Sequence, residues 1–303
     1  MQYAVTGAAG FIGSHLSEQL LAQGHEVVGL DSFTDYYDVA LKEQNASGLD
    51  VRRIDLAEDP LDFAGFDGVF HLAGQPGVRS FGDVFPLYLQ RNVLASQRVF
   101  EAAARDGVKV VFASSSSIYG AAESYPTPES TPPHPLSPYG ITKYACEQLA
   151  DAYARQFGLT CAVTRYFNAF GPRQRPDMAF TRIANALAGG GTFELYGDGA
   201  QSRSWTYVSD VVAGTIAVME QGSGTYNVGG ALEASIDETI ALFERVSGRR
   251  LDVRRHGDPV PGDQRRTKAD TTRIRTELGW EPRVSLELGI ARQWEWADSA
   301  TQL

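Results

Sequence analysis

Through the first half of the chain, short apolar and β-branched runs alternate with helix-length amphipathic segments. That pattern predicts parallel strands joined by crossover helices, with both faces of the sheet covered. Strands are expected at Gln2–Val5, Glu26–Leu30, Val51–Ile54, Gly68–Leu72, Lys109–Ala113 and Thr160–Arg165, and helices at Phe11–Gln23, Val84–Asp106 and Pro138–Phe157. Each helix runs out near a glycine suited to a C-cap: Gly24, Gly107 and Gly158. Beyond about residue 168 the elements shorten and turns crowd in, at Gly189–Gly191, Gly197–Gly199, Gly222–Gly224 and Gly229–Gly230. The expected architecture is α/β: a Rossmann-type doubly wound parallel sheet over residues 1–167, and a smaller mixed α/β lobe over 168–303, parts of which are free to pack back on the first. The proline-rich segment Tyr125–Pro138 cannot pair as a central strand and is expected as a loop.

Composition narrows the class. The chain has 303 residues, of which 43% are hydrophobic and 21% charged, ordinary proportions for a globular protein. Its formal net charge of −10 disfavours nucleic acid as a partner, because phosphate backbones are held by basic faces. Arginines nevertheless gather late, among them Arg165, Arg173, Arg175, Arg182, Arg203, Arg265 and Arg266, a supply of ligands for a small anion. The two cysteines, Cys146 and Cys161, suggest a reducing compartment and lack metal-ligand spacing, so no metal is expected. Without a signal-like start or a long apolar run, the expected location is the cytoplasm, with no membrane partner.

Two constellations carry chemistry. The first strand runs into Gly7-Ala8-Ala9-Gly10-Phe11-Ile12-Gly13, which opens the first helix. Glycines there let the backbone approach a pyrophosphate, whose charge meets the free N–H groups and positive end of the helix. Asp31, eighteen residues past Gly13, ends the second strand where a carboxylate accepts from a ribose hydroxyl. A 2′-phosphate would be repelled there, and Ser32 and Phe33 follow rather than an arginine, which favours NAD over NADP. The second constellation is Ser114-Ser115-Ser116-Ser117-Ile118-Tyr119-Gly120 after the fifth strand, followed by Tyr139 and Lys143 one helical turn apart. An ammonium near a phenol favours the phenolate, which makes Tyr139 a usable general base and acid. A serine at the carboxyl end of the strand can bond a substrate hydroxyl that becomes a carbonyl.

The Gly-x-x-Gly-x-x-Gly spacing and this Ser/Tyr/Lys set resemble the short-chain dehydrogenase/reductase superfamily, along nearly the whole chain. The resemblance implies that Asp55 and Leu56 flank the adenine and that Leu72, Ala73, Asn92, Ser114 and Tyr166 also contact the cofactor. It makes Ser115 the catalytic serine, with Ser116 the alternative. The block Gly197–Asp210 is similar to the nucleotide-sugar segment of the extended subgroup, which implies Arg203 on the diphosphate. Arg165-Tyr166-Phe167-Asn168 places Asn168 near the phosphates, and Pro261-Gly262-Asp263 with Arg265-Arg266 resembles a uridine and phosphate segment, implying roles for Asp263 and Arg266. The dehydratases of this family carry an Asp-Glu pair where Ser116 and Ser117 stand, and the decarboxylases a Glu where Ser117 stands. A site with hydroxyls alone suits oxidation and re-reduction at C4.

Three segments resemble UDP-glucuronate 4-epimerases: Gly171–Ala179, Asp35-Tyr36-Tyr37-Asp38 with Leu41-Lys42, and Gln75–Arg79. They imply Arg175 on the sugar carboxylate and Arg79 as a second anion ligand. Gln174 departs from that family's Gly, and Asn168 is shared with UDP-glucose epimerases. The expected activity is therefore NAD-dependent C4 epimerisation of UDP-glucuronate/UDP-galacturonate through a 4-keto sugar. UDP-glucose/UDP-galactose is the alternative, and a dehydratase, decarboxylase, NADH-releasing oxidoreductase or non-enzymatic sensor ranks below both. Helices 84–106 and 138–157 resemble those of the family's dimer interface, so a homodimer is expected.

Overall fold

The structure, a computed structural model, describes residues 1–77, 82–258 and 264–301. Its centre is a seven-stranded parallel sheet. In chain order the strands are β1 (Gln2–Thr6), β2 (Glu26–Asp31), β3 (Val51–Arg53), β4 (Gly68–His71), β5 (Val110–Ser115) and β6 (Cys161–Tyr166). The seventh strand, Gly224–Val228, comes from beyond residue 168 and pairs with β6, Tyr226 opposite Thr164. The spatial order is Gly224–Val228, β6, β5, β4, β1, β2, β3, which reverses direction between β1 and β4. Ligands of open α/β sheets bind at such a switch, beyond the carboxyl ends of the strands.

Alternation within the strands explains both covered faces. Ala4, Val69, Val110 and Phe112 pack with Val99, Phe100, Cys146 and Ala150 on one face. Their neighbours Val5, Phe70 and Val111 pack with Leu16, Leu20, Val212, Ile216 and Met219 on the other. Helix α1 (Phe11–Ala22) belongs to this second face, where helix Val208–Gln221 returns from the late part of the chain.

Two segments differ from the sequence pattern. A helix α2 (Val39–Asn45) follows β2; its cap is Asp38, whose Oδ1 accepts from the Ala40 N–H at 2.9 Å. The single helix expected over 84–106 is interrupted. A 3₁₀ turn at Gly82–Val84 leads to α3 (Phe85–Tyr88), a π-helical stretch Leu89–Leu94 and α4 (Ala95–Asp106). The wide stretch accompanies a local demand, because the Asn92 side chain there accepts from the Gln75 backbone N–H at 2.6 Å. Helix α5 (Pro138–Phe157) matches its expected bounds, opened by Ser137, whose Oγ accepts from the Gly140 N–H, and closed by left-handed Gly158.

A further core cluster gathers Phe170, Phe180, Phe193, Tyr207, Phe243, Ile290 and Trp294 from beyond residue 168 together with Phe11 at the start of α1. A small sheet there sets strand Ser202–Ser204 between Glu233–Ser235 and Arg266–Thr267. Among the described residues no helix is long and apolar enough to cross a membrane. No group of three or more His, Cys, Asp or Glu side chains among them can hold a metal ion.

Candidate active site

At the carboxyl ends of β1, β2, β4 and β5 lies one cavity. Gly7, Gly10, Phe11, Ile12, Gly13, Asp31, Asp55, Leu56, Leu72, Ala73, Ser114, Tyr139, Lys143, Tyr166 and Arg175 line it, all of them residues expected at the site. The glycine turn is shaped by close backbone approach. Gly7 has φ +71°, and a Cβ on Gly13 would stand 2.1 Å from the Gly7 carbonyl oxygen. The turn therefore lies flat against the start of α1 and leaves the helix N-terminus open to an anion.

Asp31 is locked at the rim: Oδ2 accepts from the Ala9 N–H at 3.1 Å and Oδ1 from the Phe33 N–H at 2.8 Å. The end of β4 is fixed from below. Thr6 Oγ1 accepts from the N–H groups of Leu72 and Ala73, each at 3.1 Å, so its own proton goes to His71 Nδ1 at 2.8 Å. His71 Nε2 then donates to Ser96 Oγ at 2.9 Å, and burial pushes this imidazole down to about 3. His71 is a neutral strut of the cavity floor. Asn92 plays a similar part: its amide donates to Thr142 Oγ1 at 3.0 Å and to the Gln75 carbonyl at 3.2 Å, holding the loop after β4 from behind the cavity wall.

Of the catalytic candidates, Tyr139 and Lys143 line the cavity, and Ser115 and Ser116 are not among its lining residues. A Cβ on Gly140 would lie 2.6 Å from the Ser117 carbonyl oxygen, so the glycine lets the start of α5 pack closely on the serine turn. Lys143, 4% exposed, donates to the Ala113 carbonyl at 2.8 Å and sits 5.9 Å from the centre of the Tyr139 ring. Ser115 caps the 3₁₀ turn Ser116–Tyr119; its Oγ accepts from the Ser117 N–H and donates to Ser117 Oγ, both at 3.1 Å. Ser115 is half-buried, whereas Ser116 is buried. Ser114 Oγ donates to Glu147 Oε1 at 2.5 Å.

Glu147 was not expected at the site, although its place one turn beyond Lys143 on α5 was a signal. It forms a buried pair with Arg165, Nη2 to Oε2 at 2.7 Å and Nε to Oε1 at 3.1 Å, and Arg165 also donates to Tyr119 Oη at 2.7 Å. Arg165 is therefore part of the scaffold behind the serines rather than an anion ligand.

The expected sugar-side residues fall into two groups. Arg175 reaches the main cavity, its fork on Asp177: Nε to Oδ1 at 3.0 Å and Nη2 to Oδ2 at 3.2 Å. Tyr36 Oη donates to the same Asp177 at 3.2 Å and so ties the loop after β2 to this segment. Gln174 turns inward, donating to the Ala169 carbonyl at 2.9 Å and accepting from Gln293 at 3.1 Å, so a side chain replaces the family's glycine without entering the site. The other group sits on the small sheet, where Arg203 pairs in register with Thr267 and Ser202 with Arg266. Asn168, with φ +38°, donates to Thr267 Oγ1 at 2.7 Å, and Arg266 engages both Glu233 oxygens at 2.7 Å. None of Asn168, Arg203 and Arg266 lines the main cavity. Arg79 and Asp263 lie outside the described residues.

The cavity fits a dinucleotide. Its glycine turn lies flat against the open helix N-terminus and Asp31 stands at the rim, while four cationic side chains, Lys42, Arg91, Lys143 and Arg175, face it against two carboxylates, Asp31 and Asp55.

Residues 3–229 match the model of the NAD dependent epimerase/dehydratase family. The chain is similar to the "uncharacterized UDP-glucose epimerase" YtcB of Bacillus subtilis, 39% identical over 100% of this chain and 99% of that protein. It superposes on a UDP-glucuronic acid 4-epimerase from Bacillus cereus, solved with NAD and UDP-4-deoxy-4-fluoro-glucuronic acid, with TM-score 0.95, 36% identity, and 99% and 100% of the two chains covered. MoeE5, solved with NAD and UDP-glucuronic acid and also with NAD and UDP-glucose, superposes with TM-score 0.90, 40% identity and 99% coverage of both chains for the latter complex.

Proposed function

The chain belongs to the NAD dependent epimerase/dehydratase family, and we propose that within it this protein is a UDP-sugar 4-epimerase acting on UDP-glucuronate and UDP-galacturonate. The observation that carries the reading is the convergence of Tyr139, Lys143 and Arg175 on the cavity that also holds the glycine turn and Asp31.

NAD, held by Gly7–Gly13, Asp31, Asp55, Leu56, Leu72, Ala73, Ser114 and Tyr166, supplies the acceptor and later the donor of the C4 hydride. Tyr139 takes the proton of the sugar 4-hydroxyl, and Lys143 stands beside its ring with the ammonium held by the Ala113 carbonyl. Ser115 donates to the oxygen at C4 as it becomes a carbonyl; the 4-keto sugar then turns over in the site, takes the hydride back on its other face and regains its proton from Tyr139. Ser116 lies beside it on the same turn. Among the described residues no carboxylate stands with these hydroxyls to eliminate water, and the one beneath them, Glu147, is committed to Arg165. Arg175 offers the sugar carboxylate the forked donor that guanidinium groups present to carboxylates. Asn168, Arg203 and Arg266 complete the grip on the UDP moiety.

UDP-glucose and UDP-galactose form the second reading, favoured by the fact that Arg175 already has an internal carboxylate partner in Asp177 and so does not leave an unpaired cation facing a neutral sugar. We also propose a cytoplasmic homodimer paired through its long helices. Supporting it, Phe85, Leu89 and Leu94 along the first helical run and Ile141 and Phe157 on α5 leave large apolar side chains exposed.

Incubation with UDP-glucuronate or UDP-glucose, followed by proton NMR, tests the assignment. Conversion of UDP-glucuronate to its C4 epimer is expected. Reaction of UDP-glucose alone transfers the protein to the second reading, and accumulation of a 4-keto or decarboxylated product sinks both.

A further inference from the structure

Among the described residues, one buried side-chain polar atom lacks a hydrogen-bond partner: the hydroxyl oxygen of Tyr37. Such a group costs stability unless something satisfies it, so an orphan in a ligand cavity marks a contact that a ligand completes. Tyr37 belongs to the loop between β2 and α2, and its side chain lines the same cavity as the glycine turn, Asp31, Lys42 and Arg175. The loop is fixed in place, since the adjacent Tyr36 is bonded to Asp177. Burial pushes the Tyr37 phenol up to about 12, which makes it a neutral O–H donor at neutral pH.

The surroundings specify the acceptor. Lys42 holds its ammonium 4.6 Å from the centre of the Tyr37 ring and is itself pinned by Thr34, to the carbonyl at 2.5 Å and to Oγ1 at 3.0 Å. Two of its three protons are thus placed, and among the described residues no carboxylate pairs with it. Arg91, also facing the cavity, donates to the Gln75 side-chain carbonyl at 2.7 Å and pairs with no carboxylate among the described residues. Arg175, paired with Asp177, is the cation that acts on the Tyr37 phenol, and Lys42 over its ring and Arg91 across the cavity add positive charge without a carboxylate partner among the described residues; this suits an anionic oxygen better than a ribose hydroxyl, for which Asp31 already stands ready. Between Asp31 at the adenosine end and Tyr139 at the nicotinamide end, the anionic part of a dinucleotide is its pyrophosphate.

Resting on the NAD-site reading above, we propose that Tyr37 is a cofactor ligand, its hydroxyl donating to a pyrophosphate oxygen of the dinucleotide, with Lys42 and Arg91 supplying positive charge in the same cavity. The pyrophosphate then gains a side-chain donor beside the backbone N–H groups of the glycine turn, which suits a cofactor that must stay bound through both halves of each turnover.

The test is Tyr37→Phe, which removes the oxygen and keeps the ring under Lys42. Affinity for NAD and for ADP-ribose, which shares the pyrophosphate and lacks nicotinamide, is measured by calorimetry on cofactor-free protein, and thermal unfolding is measured alongside. Both affinities should fall by at least about tenfold, as expected for a lost bond to a charged group. The cofactor-free variant should melt at the same temperature as wild type or higher, because an unsatisfied buried group has gone. Unchanged NAD affinity overturns the proposal. So does unchanged NAD affinity with a raised KM for the UDP-sugar, which assigns the hydroxyl to the substrate instead. Failure of the wild-type protein to bind NAD or ADP-ribose at all sinks the parent reading, not the choice of residue within it.

Discussion

Asp177 stands as an internal counter-ion to Arg175, two residues away in the chain and joined to it by two nearly parallel bonds at 3.0 and 3.2 Å. The pair presents one edge of the guanidinium to Asp177 and leaves Nη1 without a partner among the described residues, so a sugar carboxylate can add to the fork rather than replace Asp177. Arg175→Ala should lower kcat/KM for UDP-glucuronate about 10- to 100-fold, the size of one charged hydrogen-bonding pair, and leave UDP-glucose within about threefold. Equal losses with both sugars would detach Arg175 from the carboxylate and make it a general scaffold residue.

Tyr139 and Lys143 divide one task between them. Tyr139→Phe keeps the ring and removes the proton carrier, so turnover should fall by about 10²- to 10⁴-fold, the range of general acid–base catalysis, with NAD affinity unchanged. Lys143→Met should reduce turnover too and should also weaken NAD binding, because the ammonium faces the cavity directly. Calorimetric titration of each variant with NAD separates the two; an affinity loss in Tyr139→Phe as large as that in Lys143→Met contradicts the division.

The elements around the cofactor were legible because each advertises itself in a short window. The glycine turn, Asp31 at a strand end and the Tyr139–Lys143 spacing are local, and the strands beside them differ from expectation by only a residue or two at their ends. What escaped depends on distant partners. The strand Gly224–Val228 joins the sheet only because β6 offers an open edge, and nothing within that strand says which edge it takes. The break at Leu89–Leu94 goes with the bond from Asn92 to Gln75, seventeen residues upstream. Arg165 read as a possible anion ligand because its neutralising partner, Glu147, lies on a different element. The orphan hydroxyl of Tyr37 is a property of packing, and only coordinates reveal it.

Glu147 and Arg165 are both less than 10% exposed and form a forked pair behind the serine turn. Removing one member of a buried pair strands the other charge, which costs more than the pair contributes when intact. Glu147→Ala should therefore destabilise the protein by about 3–5 kcal/mol in urea unfolding and loosen Ser114, which loses its acceptor. Glu147→Gln retains the shape and one acceptor and should cost less. A Glu147→Ala loss below about 1 kcal/mol would mean that water reaches Arg165 and that the pair is not isolated.

Two histidines contribute to the loss of stability in acid, alongside carboxylates such as Glu18 and Glu233 that their arginine partners hold below the usual range. His15 Nε2 donates to the Pro172 carbonyl at 3.0 Å while Nδ1 accepts from Arg173 Nη2 at 2.9 Å, so a second proton would displace that donor and place two cations face to face. Burial first, then Arg173, push His15 down to about 4, and burial with Lys143 pushes His71 down to about 3, against an ordinary value of 6.5. Because folding lowers both values, the unfolded chain takes up protons first as pH falls. Their contribution is present in full above pH of about 6.5 and is lost progressively through about 4 and 3. Urea midpoints should fall across that window. His15→Gln, which can still donate to Pro172 and accept from Arg173 but does not titrate, should flatten the upper part of the slope between about pH 6.5 and 4. A pH profile identical to wild type would show that His15 is protonated in the folded protein, and would rule out a neutral ring as the link between α1 and the segment that carries Arg175.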